Sequence, residues 1–134
     1  MSESTSIDVV DRIVLTLPAA PKLRGVATLV LGGIGSRLDL PYEKVDDLQL
    51  AVLSVLSSGD LERVTIEVDV NGEAVAVSIG PLAAGVATDG GLRRVLERLV
   101  DGVEPSPRTG GDGTPEEWIS LRLGRVPADP PPEA

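Results

Sequence analysis

The sequence predicts an α+β fold: a two-layer α/β sandwich with a mostly antiparallel sheet covered on one face by helices. Two observations predict it. The stretch from Pro21 to Gly59 reads as two helices broken at Asp39-Leu40-Pro41, and such a pair needs a sheet to cover. Further on, Val64, Ile66, Val68 and Val70 alternate with Thr65, Glu67 and Asp69. The chain then turns at Asn71-Gly72 into Val75, Val77 and Ile79, which alternate with Ala74, Ala76 and Ser78. This is a hairpin pattern. With one apolar face and one polar or small face, it calls for helices on one side only.

At the N-terminal end, residues 1–8 are expected to be a disordered tail. Ile13, Leu15 and Leu17 then alternate with Val14 and Thr16 up to Pro18, as in a strand with one buried face. The first helix has Leu23, Val26, Ala27, Val30, Ile34 and Leu38 as its apolar side. Four glycines, Gly25, Gly32, Gly33 and Gly35, interrupt it, each costing about 0.5–1 kcal/mol relative to alanine. Either close backbone approach offsets that cost or the helix ends early, near Leu31. The cluster Gly32-Gly33-Ile34-Gly35-Ser36 lacks both the Lys-Ser/Thr ending of a P-loop and the third glycine of a dinucleotide fingerprint, so tight packing on a neighbour is the preferred reading. The second helix carries Val45, Leu48, Val52, Val55 and Leu56 on one stripe, with Asp47, Ser54 and Ser58 on a different face.

After the hairpin, residues 81–91 are rich in Gly and Ala and suit either a mobile lid or an ordinary connection. Asp89 is placed to cap a third helix. That helix has Leu92, Val95, Leu96, Leu99 and Val100 on one side and Arg93, Arg94 and Arg98 outside, as a solvated face in preference to a partner-binding patch. Residues 105–115 read as a loop, and 118–123 as a final strand with Ile119, Leu121 and Leu123 inward. Trp118 then points the other way, either lying across small residues of the outer sheet face or serving a protein interface. Residues 126–134 read as a disordered Pro-rich tail, which leaves residues 9–125 as a single domain.

Composition narrows the chemistry. The 134 residues carry a formal net charge of −9 with a pI near 4.4, and this balance repels phosphate backbones and anionic lipids. One Trp, one Tyr and no Phe leave little to stack bases on. No nucleic-acid or membrane partner is therefore expected. The absence of Cys and His removes thiolate chemistry, disulfides, imidazole bases and the usual zinc ligands. No apolar run reaches the roughly 18 residues of a membrane span, and the beginning MSESTSIDVVD lacks the basic start of a signal peptide, so a cytoplasmic location is expected.

The stretch LDLPYEKVDDLQLAVLSVLSSG (38–59) resembles the helix that carries the N-box of the anti-sigma-factor serine kinases, a branch of the GHKL (Bergerat) ATPases. The family pattern runs roughly D-L-x-x-A-V-x-E-x-x-x-N. Here Asp47-Leu48 and Ala51-Val52 match it, Ser54 stands at the Glu position, and Ser58 stands at the Asn position. In the family the Glu serves as base or water-orienting group and the Asn holds magnesium, and a serine hydroxyl replaces neither. A second family strand, V-x-V-x-D-x-G, has an Asp that binds the adenine amino group. Val75 and Val77 match it and Ile79 stands in place of the Asp; a register one residue off puts Ser78 or Gly80 there. GGLRRVLERLVDGVE (90–104) follows the family's glycine-rich turn, Leu-rich helix ending in L-x-D, and next strand. Where relatives carry a partner-binding Arg on the first helix this chain has Thr28, with Arg24 one turn earlier on the same face.

The resemblance covers about residues 10 to 125 and implies the histidine-kinase-like ATPase fold. It also implies a sigma factor or an anti-sigma antagonist as partner, and a homodimer. With Ser54, Ser58 and Ile79 at the site positions, no cofactor is expected, and the favoured reading is a nucleotide-independent, ATP-site-degenerate binding module of the anti-sigma type that acts in bacterial transcription control. Partner contact then falls to Arg24, Thr28 and Trp118. The alternatives are an active serine kinase or ATPase using ATP and magnesium at an unusual site, with Asp47 the carboxylate nearest the right phase, and a structural orphan domain.

Overall fold

A computed structural model describes residues 11–18, 24–58 and 62–125. The two expected tails and Leu23 of the first helix's apolar side lie outside the described residues. The elements run β1 (Asp11–Pro18), α1 (Arg24–Arg37), α2 (Tyr42–Leu56), β2 (Arg63–Val70), β3 (Ala74–Leu82), α3 (Gly90–Leu99), β4 (Gly102–Pro105), β5 (Arg108–Thr109) and β6 (Pro115–Gly124). The sheet order is β1-β2-β3-β6-β4, with β5 added on β6. Every pairing is antiparallel. The fold is thus α+β, with the inward residues of the sheet and the apolar stripes of the helices in one core.

In the middle of that core the phase read from the sequence holds. Val64, Ile66, Val68 and Val70 of β2, Val75, Val77 and Ile79 of β3, and Ile119, Leu121 and Leu123 of β6 are all buried, against Leu48, Val52 and Val55 of α2. Each such side chain contributes about 1.5–3 kcal/mol by leaving water. Among the described residues no polar or charged side chain is buried. At the edge the expectation was too strong: Ile13, Leu15 and Leu17 of β1 are only half-buried, because this strand has a single neighbour, β2.

The first helix runs unbroken through Gly32, Gly33 and Gly35 to Arg37, so of the two alternatives left open the early end near Leu31 is not the one realised. Close approach accounts for part of this. A Cβ on Gly35 would fall 2.4 Å from Cγ2 of Val45, and one on Gly32 would fall 3.1 Å from Nε2 of Gln49, so the glycines let α2 in. The buried side of α1 is Ala27, Leu31, Ile34 and Gly35, while Val26, expected inside, is 37% exposed. The helix closes on Asp39 at φ 57°, with the Asp39 amide bonded to the Ser36 carbonyl and the Leu40 amide to that of Gly35. That is a Schellman closure with Asp, one of the few residues tolerant of left-handed backbone, in the glycine position. Pro41 then starts α2, its carbonyl accepting from the amides of Lys44 and Val45.

The hairpin turn centres on Gly72-Glu73 rather than Asn71-Gly72. The Asn71 amide bonds to the Ala74 carbonyl, and its side-chain oxygen accepts from the amides of Glu73 (2.7 Å) and Ala74 (2.8 Å). Asn71 thus shapes the turn through its side chain, as an Asx turn. Asp89 caps α3 as expected, accepting from the Leu92 amide at 2.7 Å. Val95 does not join the buried side and is 47% exposed, because the helix inserts only a narrow stripe around Leu96. The expected loop 105–115 contains β5, which pairs Arg108 with Glu116 and Thr109 with Pro115, so the last strand begins three residues earlier than the sequence suggests.

Candidate functional site

The resemblance places two of the expected site positions, Ser54 and Ser58, at the end of α2. Ser54 lies in the last helical turns and its Oγ donates to the Leu50 carbonyl at 2.8 Å. Ser58 lies two residues past Leu56, the last of the helix, and its Oγ donates to the Val55 carbonyl at 2.5 Å. The expectation that Ser54 and Ser58 share one helical face is corrected: Ser57 caps the helix, and Ser58 has left it. Both hydroxyls bond their own backbone, a local competition typical of serine.

Ile79 sits in the centre of the sheet, paired with Ile66 of β2 and Ile119 of β6, and has no exposed surface. The neighbouring registers offer no carboxylate. Ser78 is half-buried on the outer face beside Glu67 and Ser120, and Gly80 is buried. Asp47, on α2, is half-buried.

A cavity of about 300 Å³ lies at this end of the molecule, bordered by Ser58, Ala84, Gly85, Val86, Asp89 and Leu92. Neither Ile79, Ser54 nor Asp47 borders it. Its one charge is the Asp89 carboxylate, which holds the start of α3 and would repel a phosphate. The connection after β3 carries two successive turns, Ala83 to Val86 and Val86 to Asp89. It is tied across to β6, where the Glu117 carboxylate accepts from the amides of Gly85 (2.9 and 3.0 Å) and Ala87 (3.4 Å). Nothing in the local sequence signalled that tie, since its partners are thirty residues apart.

Magnesium takes about six oxygen ligands, with one or two carboxylates among them. Among the described residues no three acidic side chains gather in a metal-holding group. The two hydroxyls are thus engaged with their own backbone and Ile79 lies in the core, so the positions singled out from the sequence bring no carboxylate together.

A different surface is built by α1 and α2. Thr28 Oγ1 donates to the Arg24 carbonyl at 3.3 Å, and the Thr28 carbonyl accepts from Gln49 Nε2 at 2.8 Å, clasping the two helices. Thr28 and Arg24 are both half-buried, one turn apart as the sequence placed them. Between the helices runs an open groove of about 460 Å³, bordered by Gly32, Ser36, Asp39, Tyr42, Asp46 and Gln49 among others. Its charged lining is acidic. Leu29 (76% exposed), Tyr42 (89%) and Leu50 (53%) stand out from the same two helices. Sequence reading missed these three because they fall off the core stripe.

Trp118 is on the outer sheet face, as its phase implies, but it is only 6% exposed. Its indole lies on Gly80, the Arg108 guanidinium covers it 3.8 Å from the ring centre, and its Nε1 donates to Glu116 at 3.0 Å. Arg108 is held in turn by Glu67 through bonds of 2.9 and 3.0 Å. The ring thus packs across Gly80 on the outer sheet face. A partner reaching this place meets Arg108 first.

No family model matches the chain. A stretch of it is 38% identical over 48 residues to the serine-protein kinase RsbW of Oceanobacillus iheyensis, covering 36% of this chain and 30% of that protein. The RsbW of Bacillus pumilus is 40% identical over 45 residues, covering 34% and 28%. That of Listeria monocytogenes is 40% identical over 48 residues, covering 36% and 31%. The matched part spans under a third of the length of these curated relatives. Among the described residues no helix is long and apolar enough to cross a membrane.

Proposed function

We propose that this chain is a regulatory binding protein of the anti-sigma type that works by protein–protein contact, with the position of an ancestral nucleotide site closed. The observation that carries this reading is Ile79. Where the family places the carboxylate that binds adenine, this chain packs a fully buried isoleucine between two others. Ser54 and Ser58, each turned onto its own backbone, support the same reading.

The partner is a sigma factor or an anti-sigma antagonist. The α1–α2 surface with Arg24, Thr28, Leu29, Tyr42 and Leu50 offers apolar contact, and its acidic groove favours a basic partner segment. Loss of catalysis removes none of this contact area. A homodimer through the outer sheet face belongs to the same proposal; the small residues Ala76 and Ser78 on that face are half-buried and pair with Asp69 and Glu67 of β2.

The test is a pull-down with the full chain from the native cytoplasm, partners identified by mass, run with and without magnesium ATP. The account expects a sigma factor or antagonist domain in both arms. Capture that requires ATP would contradict it.

The name of the relatives favours a second reading, an ATP-dependent serine protein kinase with a displaced magnesium site. It predicts transfer of labelled phosphate to a captured antagonist domain.

A further inference from the structure

Asn71 is the only asparagine in the chain, and a glycine follows it. The pair stands between β2 and β3, with Asn71 half-buried and Gly72 exposed. Such a pair has a reaction of its own, in which the backbone nitrogen of the second residue attacks the carboxamide carbon of the first. Each atom that takes part is in the state this reaction needs. The nucleophile is the Gly72 amide, which donates to no acceptor among the described residues and has nothing within 4 Å of where a Cβ would stand. The leaving group is the Asn71 side-chain nitrogen, which holds no partner among the described residues. The carbon under attack is polarised, because its oxygen accepts from the amides of Glu73 at 2.7 Å and Ala74 at 2.8 Å. Donors at such distances stabilise the negative charge that grows on a carbonyl oxygen as a nucleophile adds. The Asx turn folds the carboxamide back along its own backbone, so the attack is intramolecular. Gln49, the other carboxamide of the chain, differs: it lies within α2 and its nitrogen donates to the Thr28 carbonyl at 2.8 Å.

We propose that Asn71-Gly72 is a self-modification site, where the folded chain converts asparagine to isoaspartate and aspartate through a cyclic imide. The reaction needs no partner and does not depend on the regulatory role above. The Gly72 nitrogen bonds to the Asn71 Cγ and gives up its proton. The bond from Cγ to Nδ2 breaks, and Nδ2 leaves as ammonia with that proton. Water then opens the imide at one of its carbonyls and leaves a carboxylate there. In sum, carboxamide and water become carboxylate and ammonia, with no change of oxidation state. Arg125 biases the opening, because its Nη1 donates to the Asn71 main-chain carbonyl at 2.6 Å. Water added at that carbon breaks its bond to the Gly72 nitrogen, so the chain runs on through Cγ and the new carboxylate faces a guanidinium, a charge-assisted contact. Isoaspartate is then the favoured product. It adds a methylene to the backbone in the hairpin turn and a negative charge to the chain.

The experiment incubates the full chain at neutral pH, folded and in urea, and follows Asn71 by peptide mass mapping, ammonia by assay and isoaspartate by enzymatic methylation. The folded parent loses Asn71 at least as fast as the unfolded parent, because the turn supplies the amides bound to the carboxamide oxygen, and Gln49 stays intact. Gly72→Ala crowds the nucleophile and slows the loss about tenfold or more. If that variant does not fold, the comparison of folded with unfolded parent carries the test alone. Arg125→Ala loses Asn71 as the parent does, with a smaller isoaspartyl share. Loss that is slower in the folded chain than in urea overturns the proposal. So does a rate in Gly72→Ala equal to the parent's, since the route runs through that nitrogen. An unchanged isoaspartyl share in Arg125→Ala overturns the part given to Arg125.

Discussion

The indole of Trp118 lies so close to the backbone of Gly80 that a Cβ at Gly80 would fall 2.4 Å from Cδ2 and 2.5 Å from Cγ of the ring. The ring has little room to move. Glu116 holds its Nε1, and Arg108, fixed by Glu67, covers its other face. Gly80→Ala is therefore expected to cost about 1–3 kcal/mol, as overpacking does. Gly72→Ala, at a position where a Cβ meets nothing within 4 Å, stays within about 0.5 kcal/mol of the parent. Urea unfolding of the two variants checks the contrast.

The glycines of α1 separate in the same way. Gly33 has open space around a would-be Cβ, so Gly33→Ala gains helix propensity and stabilises by about 0.5–1 kcal/mol. At Gly35 the same gain is opposed by contact with Val45 at 2.4 Å, and the overpacking exceeds it. Thermal melts should move in opposite directions, up for Gly33→Ala and down for Gly35→Ala.

Placing the residues of the resembled pattern at Ser54, Ser58 and Ile79 should cost stability. In the triple variant Ser54→Glu, Ser58→Asn and Ile79→Asp, the third change puts a carboxylate among Ile66 and Ile119 with no partner, which costs about 3 kcal/mol or more. Chemical denaturation checks this. A triple variant as stable as the parent means that Ile79 is not in the core.

The Arg108 hydrogen bonds hold the Glu67 carboxyl below its ordinary range, with partial burial opposing them and the charges of Arg108 and Arg12 adding to the depression. A carboxylate whose pKa is lowered on folding contributes stability above its unfolded value, near 4.3, and loses it as pH falls through the lower folded value. The difference in unfolding free energy between parent and Glu67→Gln should be constant above about pH 5.5 and shrink as the pH drops below about 4. A difference that stays the same down to pH 2 contradicts the assignment of the shift to this pair.

The strands of the core were legible because period-two alternation is a local signal, and Ile79 kept its phase through it. The Asp89 cap was legible for the same reason: its partner, Leu92, is three residues away. What escaped depends on contacts between distant residues. Arg108 and Glu67 are 41 apart and Glu117 and Gly85 are 32 apart, and such pairings follow from sheet order rather than from any segment. The two-residue strand β5 is too short to show a period and exists because β6 extends beside it. The end of α2 before Ser58 was misread because Ser57 and Ser58 continue a helical spacing while their own hydrogen bonds close the helix.

The central claim is that this chain acts without nucleotide. Titration calorimetry of the full chain with ATP at millimolar magnesium tests it most directly. The account predicts no binding tighter than ~100 μM, a free energy of about −5.5 kcal/mol, because Ile79 and Ser58 stand at the positions that the resemblance gives to the adenine acid and the magnesium amide. A dissociation constant below that value would contradict it and favour the kinase reading.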